Sequence, residues 1–368
     1  MGRSLLAFLT LSFFLSPKIP YAESGNEVSF LSLQTRIQEV FKSSVSSVVR
    51  VKAARERRVG NKVSTSLKMG SGFFISKEGH VLTTGLLQDA DRIWIEHRNS
   101  FYLAQKVGHD PLCNLSLLKV TEKPKDFTFT SFAETKGDLS VGAILIGVTC
   151  ALEFKIAPTY GIMQSYEFSF GKRLFPTKMI RSSMPLGMGE IGAPVFDLNG
   201  RFVGITYAAL PDLRSSFLLP ARACLRIRDD LLLSGKVDYG WFGITTVRKA
   251  NADSGVDIVI SDFIEGSPAS GSKLKKGDVL RKINGSIVHD SGDLAHASFF
   301  SKPGTFAQFT VDRQGKEFMT PVKVGARQTY DSNKLLDMSN SSSGYSSESN
   351  ATSKSAPKST DLNKTATP

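Results

Sequence analysis

The chain is poor in the residues that bind metals and close disulfides. Its 368 residues include three cysteines, Cys113, Cys150 and Cys224, and five histidines. Three widely spaced cysteines exclude both a disulfide framework and the common cysteine-based metal motifs. One pair could close in an oxidising compartment; the alternative is three small buried apolar residues. No metal and no cofactor is expected. Acidic side chains are outnumbered, 34 against 46 Lys and Arg, for a net charge of +12. That leaves either a soluble protein with scattered surface cations or a basic face for an anionic partner. No stretch interleaves basic and aromatic residues, so a nucleic-acid partner is not indicated. Beyond the N-terminus no apolar run approaches the length of a membrane span.

What is present is punctuated by turns. Residues 1–22, MGRSLLAFLTLSFFLSPKIPYA, read as a secretory signal peptide. Arg3 supplies the positive start, Leu5 to Leu15 the apolar run, and Ala22 the small residue before cleavage. An uncleaved N-terminal anchor is the alternative. In residues 23–44 Phe30, Leu33, Ile37, Val40 and Phe41 recur at helical spacing. Ser47 to Val51 reads as a first strand, and short β-rich runs separated by Gly, Pro and Asn continue to about residue 225, as in an all-β barrel or sandwich. Ala221 to Ser234 is an amphipathic helix with Leu225, Leu231 and Leu232 on one side and Gly235 as its stop. A second β-rich unit occupies 236–325. Residues 326–368 are dominated by Ser, Asn, Thr, Lys and Ala, cannot bury enough surface to fold, and are expected to be disordered.

Four separated segments, in the same order, resemble trypsin-like serine proteases of the HtrA/Deg type. Met69 to Gln88, MGSGFFISKEGHVLTTGLLQ, is similar to the family's GSGFIIS-DGYILTNNHVV. Val107 to Val120, VGHDPLCNLSLLKV, is similar to VGxDxxxDLAVLKV. Gly187 to Ile205, GMGEIGAPVFDLNGRFVGI, is similar to the GNSGGPL segment around the nucleophile. Phe217 to Gly243 is similar to the family's FAIP strand, helix and linker. The resemblance implies a mainly β fold, a chymotrypsin-like double β-barrel over 45–235.

It also implies where the chemistry should be, and there the residues differ. The nucleophile position holds Ile191, the general-base position Leu86, and the orienting-acid position Asn114. A side chain without a heteroatom neither attacks a carbonyl nor accepts a proton, and a neutral amide does not stabilise an imidazolium. Loss of such a triad costs about six orders of magnitude in turnover. Gly189, Glu190 and Ile191 stand where the oxyanion loop is expected, and a carboxylate there repels developing negative charge. No catalytic residue is therefore intact, and the enzyme class is left open with the balance towards no activity. His80 and His109 align with no catalytic role.

Residues 240–324 resemble a PDZ domain in the order found in HtrA proteins, through GWFGI at 240–244 and EGSPASGSKLKKGDVLRKING at 265–285. That implies a peptide groove. Backbone N–H groups of Trp241, Phe242, Gly243 and Ile244 would hold a carboxylate or a peptide backbone, with Leu294 and Phe299 on a helical wall over Ser291 to Phe300. The expected protein is a secreted or periplasmic pseudoprotease that binds peptides or unfolded segments as chaperone, adaptor or regulator of an active paralogue. It would be a homo-oligomer, a trimer being the family's common form, with no integral membrane span after signal cleavage. The alternatives are an active serine endopeptidase with a relocated site, and an envelope-associated binding or structural protein.

Overall fold

In the computed structural model the described residues are 25–59, 62–85, 90–132, 139–171, 173–251 and 255–327. The leader at 1–22 and the segment from 328 lie outside them. Helix α1 (Gly25–Ser44) leads into β1. Its Val40 is buried, and Ile37 and Phe41 pack on the same core. The side chain of Phe30 is outside the described set. Six strands then close a barrel in the order β1-β2-β3-β6-β5-β4. They are β1 (Val48–Val59), β2 (Lys62–Phe74), β3 (His80–Thr84), β4 (Arg92–His97), β5 (Ser100–Asp110) and β6 (Leu115–Val120). Alternation fixes the inward face: Val49, Val51 and Ala53 of β1 join Phe74, Val81, Ile95 and Leu118 in the interior.

A second barrel follows in the order β10-β11-β12-β9-β8-β7. Its strands are β7 (Ile144–Thr149), β8 (Ala157–Phe170), β9 (Arg173–Ser182), β10 (Pro194–Asp197), β11 (Phe202–Leu210) and β12 (Ser215–Pro220). Helix α2 (Ala221–Ser234) closes this half. Ala223, Cys224, Ile227 and Leu231 form its buried stripe. Leu232, read from sequence as part of that stripe, is 45% exposed because it lies about 100° round the helix from Leu231. Gly235 adopts φ 72° and returns its N–H to the Leu231 carbonyl, so the helix stops there.

The third unit holds β13 (Gly240–Trp241), β14 (Ile244–Asn251), β15 (Gly255–Phe263), β16 (Val279–Ile283), β17 (Ser286–Ile287), α3 (Ser291–Phe300), β18 (Phe306–Arg313), β19 (Lys316–Lys323) and β20 (Gly325–Ala326). The main sheet runs β14-β15-β16-β18-β19, with β17 on β16 and a small β13–β20 pair beside it. Phe242, Ile260, Leu280, Phe309 and Val322 form its core. Asp290 and Asp293 form a reciprocal capping box that starts α3.

The join between the second barrel and this third unit is packed. Tyr239 and Phe299 are buried in the same apolar cluster as Cys113, Cys224 and Leu231 of the barrels. The Tyr239 hydroxyl donates to Asp110 at 2.6 Å. Arg226 lies over the Tyr239 and Phe299 rings at 4.9 and 5.3 Å. His296 of α3 meets the Thr177 hydroxyl of β9 at 2.7 Å. A Cβ on Gly292 would sit 2.2 Å from the Phe168 ring, so α3 reaches this depth only because residue 292 has no side chain. Among the described residues no helix is long and apolar enough to cross a membrane.

Candidate functional site: the Gly187–Pro194 loop and a strand–helix groove

The loop Gly187–Pro194 is clamped between the barrels by its backbone. Ser71 donates its N–H to the Ile191 carbonyl at 3.1 Å. The Ser71 hydroxyl donates to the Gly189 carbonyl at 2.8 Å and accepts the Cys150 N–H at 2.9 Å. Thr206 binds the other side: its hydroxyl donates to the Glu190 carbonyl at 2.7 Å and accepts the Ala193 N–H at 2.8 Å. Gly189 and Gly192 take φ of 84° and 93°. A Cβ at residue 192 would lie 2.3 Å from the Ser71 carbonyl oxygen, so both the positive φ and the close approach require glycine there.

Within this frame Ile191 is half-buried and packs on the second-barrel cluster of Leu145, Met163, Met184, Val195 and Leu218. Its side chain is an apolar plug, chemically inert. Glu190 is held at both carboxylate oxygens. Oε1 accepts the Thr149 hydroxyl at 2.6 Å, and Oε2 accepts the Gly187 N–H at 2.5 Å. The structure brings position 114 beside position 85: Asn114, exposed and at φ 51°, accepts the Gly85 N–H at 3.1 Å. Position 192 abuts Thr84, whose N would lie 3.0 Å from a Cβ on Gly192. Leu86 itself lies outside the described residues. The backbone thus gathers the neighbourhoods of the three expected positions.

No other Ser–His pair among the described residues replaces them. The His109 Nδ1 lies 2.8 Å from the Ser116 hydroxyl, but Ser116 is fully buried, out of reach of a peptide carbonyl. Burial pushes the His109 imidazole down to about 4, and its Nε2 has no partner among the described residues. The His80 Nδ1 lies 2.9 Å from the Ser76 hydroxyl at the β2–β3 turn. There Glu78 bonds the serine hydroxyl, not the imidazole, which is the wrong order for a triad. The three cysteines are free and buried. Cys150 lies beside the Gly189 loop, a neighbour that sequence spacing did not indicate. Burial pushes its thiol up to about 12, so it stays protonated and unreactive.

The PDZ-like groove is built on a strand edge. β14 is hydrogen-bonded to β15 and stands at the end of the sheet order, with α3 alongside. The Phe242 carbonyl accepts the Ala269 N–H at 3.1 Å, and the Gly243 carbonyl accepts the Ile264 N–H at 2.9 Å. In a trans peptide the N–H of the next residue points the opposite way, so the Gly243 and Ile244 N–H groups face the other side of the loop. Gly243 sits at φ 72° with Ser267 Cβ only 2.1 Å from where a side chain would begin. Phe242 is buried edge-on to Phe309 at 5.0 Å, and Ile244 and Leu294 pack on the same core. Trp241 is half-buried and pairs with Gly325. Phe299, read from sequence as a groove-wall residue, is placed elsewhere: it is 2% exposed in the join, against Tyr239 at 5.0 Å and Phe300 at 4.9 Å. It is on the side of α3 that meets the barrels, a direction that helical spacing alone does not reveal.

A double barrel with a nucleophile-type loop between its halves, followed by a strand-and-helix groove, defines a trypsin-like peptidase fold carrying a PDZ domain. The trypsin-like peptidase domain family matches residues 70–205, and the PDZ domain family matches residues 240–324. The chain is 28% identical over 280 residues to a probable periplasmic serine endoprotease DegP-like of Pseudomonas fulva, covering 72% of this chain and 57% of that protein. It is 29% identical over 306 residues to the protein of the same description from Ectopseudomonas mendocina, covering 80% and 62%. The chain therefore spans less than two thirds of these relatives' length. Among solved structures, the HtrA-type protease AlgW with tripeptide superposes with a TM-score of 0.65 at 20% identity, covering 80% of this chain and 98% of that one. The chain thus carries a trypsin-like peptidase domain and a C-terminal PDZ domain in the order of HtrA/Deg-type proteins. The relatives' names agree with the secreted or periplasmic location read from the leader.

Proposed function

We propose that this chain is an HtrA-like pseudoprotease that binds peptide or unfolded-protein segments through its PDZ groove. It acts as a chaperone, an adaptor or a regulator of an active relative, as a homo-oligomer. The observation that carries this reading is the nucleophile loop. Ile191 packs on the second-barrel cluster, and Glu190, pinned by Thr149 and Gly187, adds a carboxylate to the very loop that would have to stabilise developing negative charge. The free edge of β14 beside α3 supports peptide binding by strand addition.

The test is hydrolysis of denatured casein by the natural chain beside a variant carrying Leu86→His, Asn114→Asp, Glu190→Asn and Ile191→Ser. The natural chain is expected to be silent and the variant to cleave. Hydrolysis by the natural chain, blocked by a serine-directed phosphonate, would overturn the proposal.

A further inference from the structure

Among the described residues, one ion pair crosses the groove between β14 and α3. Arg248 of β14 donates from Nη1 to Asp290 Oδ2 at 2.9 Å. The two members are not equally free. Asp290 is the N-cap of α3, and its other oxygen, Oδ1, accepts the Gly292 N–H at 2.9 Å and the Ser291 hydroxyl at 3.3 Å. Asp293 is likewise turned back, its Oδ2 accepting the N–H groups of His289 and Asp290 at 2.8 and 2.9 Å. Both carboxylates are therefore committed to the helix start, where its N–H groups and dipole hold their charge. Arg248 is different. Its side chain is 60% exposed, and the bond to Asp290 uses one of the five N–H donors a guanidinium carries. Lys249 is next along the strand. The acidic residue opposite it, Asp257, is already bonded to Arg281 at 2.7 Å and Asn251 at 2.6 Å. The far end of the groove thus presents available positive charge, while its negative charge is spoken for.

Register then fixes which ligand residue meets that charge. A peptide whose terminal carboxylate sits on the N–H groups of the Gly243–Ile244 turn adds to β14 as an antiparallel strand. Its last residue lies opposite Ile244. Pairing advances one ligand residue per strand residue, so the residue four before the last lies opposite Arg248. Directly opposed residues in such a pair have Cβ atoms about 4.5–5.5 Å apart.

We infer that Arg248 makes this groove selective for peptides with a free C-terminus and an acidic side chain at the fifth position from the end. The inference rests on the peptide-binding reading above. An Asp or Glu there adds a second carboxylate to the guanidinium without displacing Asp290 from its cap. A Lys or Arg there is repelled by Arg248.

The test uses the full chain, immobilised, and a library of decapeptides randomised over the last five positions, with retained peptides read by mass spectrometry. Asp and Glu are expected to be enriched over Lys and Arg by roughly three- to tenfold at the fifth position from the end, in the range of partly exposed charge-assisted contacts. The enrichment should vanish in Arg248→Ala and reverse in Arg248→Glu, both of which leave the Asp290 cap in place. Retention that needs a free C-terminus but shows no charge preference at that position overturns the inference and leaves the peptide-binding reading standing. Retention unchanged when the library is C-terminally amidated overturns the inference alone, and no retention at all overturns both.

Discussion

At the scale of single residues, the loop at Gly187–Pro194 separates what holds a backbone from what does chemistry. Gly192 is kept because a carbonyl oxygen occupies the space of its missing side chain; Ile191 has no such constraint and has joined the core. A lone Ile191→Ser reversion would present a hydroxyl to a site without a base and beside the Thr149-bound Glu190. His109 offers a residue-scale prediction with a definite sign. In the folded chain its imidazole stays neutral down to about 4, whereas the unfolded chain takes up a proton near the ordinary histidine value of 6.5. Between those values the unfolded state binds more protons. Stability therefore falls as pH drops from 6.5 towards 4 and is not lowered further by this group below that. His109→Gln should flatten the slope of urea-unfolding free energy against pH in that window, by at most about 3 kcal/mol across it. An unchanged slope would assign the acid sensitivity to other groups. The glycine and proline frame of this loop was legible in the sequence because backbone geometry demands particular residue types. The Thr149–Glu190 bond was not, since nothing local connects residues on two different strands' loops.

Among elements, α3 has the double role. One side, with Leu294, closes the PDZ core; the other, with His296 and Phe299, is seated on β9 and the barrel cluster. Phe299→Ala should cost about 3–5 kcal/mol, the usual range for a buried phenylalanine. It should also uncouple the units on either side of the join. The two tryptophans report them separately, Trp94 in β4 and Trp241 in β13. In Trp94→Phe and Trp241→Phe backgrounds the natural join should give coincident urea midpoints, and the Phe299→Ala join midpoints that separate. Coincidence in all four proteins would mean that Phe299 does not couple the units. Helix bounds were readable where caps mark them, at Asp290 and at Gly235. The β1 strand was not: it was read as Ser47 to Val51 but runs to Val59, because AARERRV lacks the alternation of a half-buried strand and is held by pairing with β2. Which face of α3 carries Phe299 is likewise a tertiary fact.

Taken as a whole, the described chain keeps its thiols inside. Cys113, Cys150 and Cys224 are each no more than 1% exposed, and burial pushes all three thiols up. A disulfide-exchange reagent such as Ellman's should therefore find no reactive thiol in the native protein and three after unfolding in urea. Reaction of one thiol in native buffer would locate an opening smaller than global unfolding. The HtrA-type order of domains was legible because its motifs are separated and in sequence; the depth of the join was not, since nothing in the short linker after the helix marks it as packed. The linker acts as a wedge. Tyr239, which the chain must pass through on its way to the PDZ domain, has its hydroxyl on Asp110, 129 positions earlier. For protein engineering this makes the PDZ domain a poor cassette. A domain grafted after Gly235 preserves this seam only if it brings a hydroxyl for Asp110 and a ring beneath Arg226, so a working chimera has to match both sides of the seam.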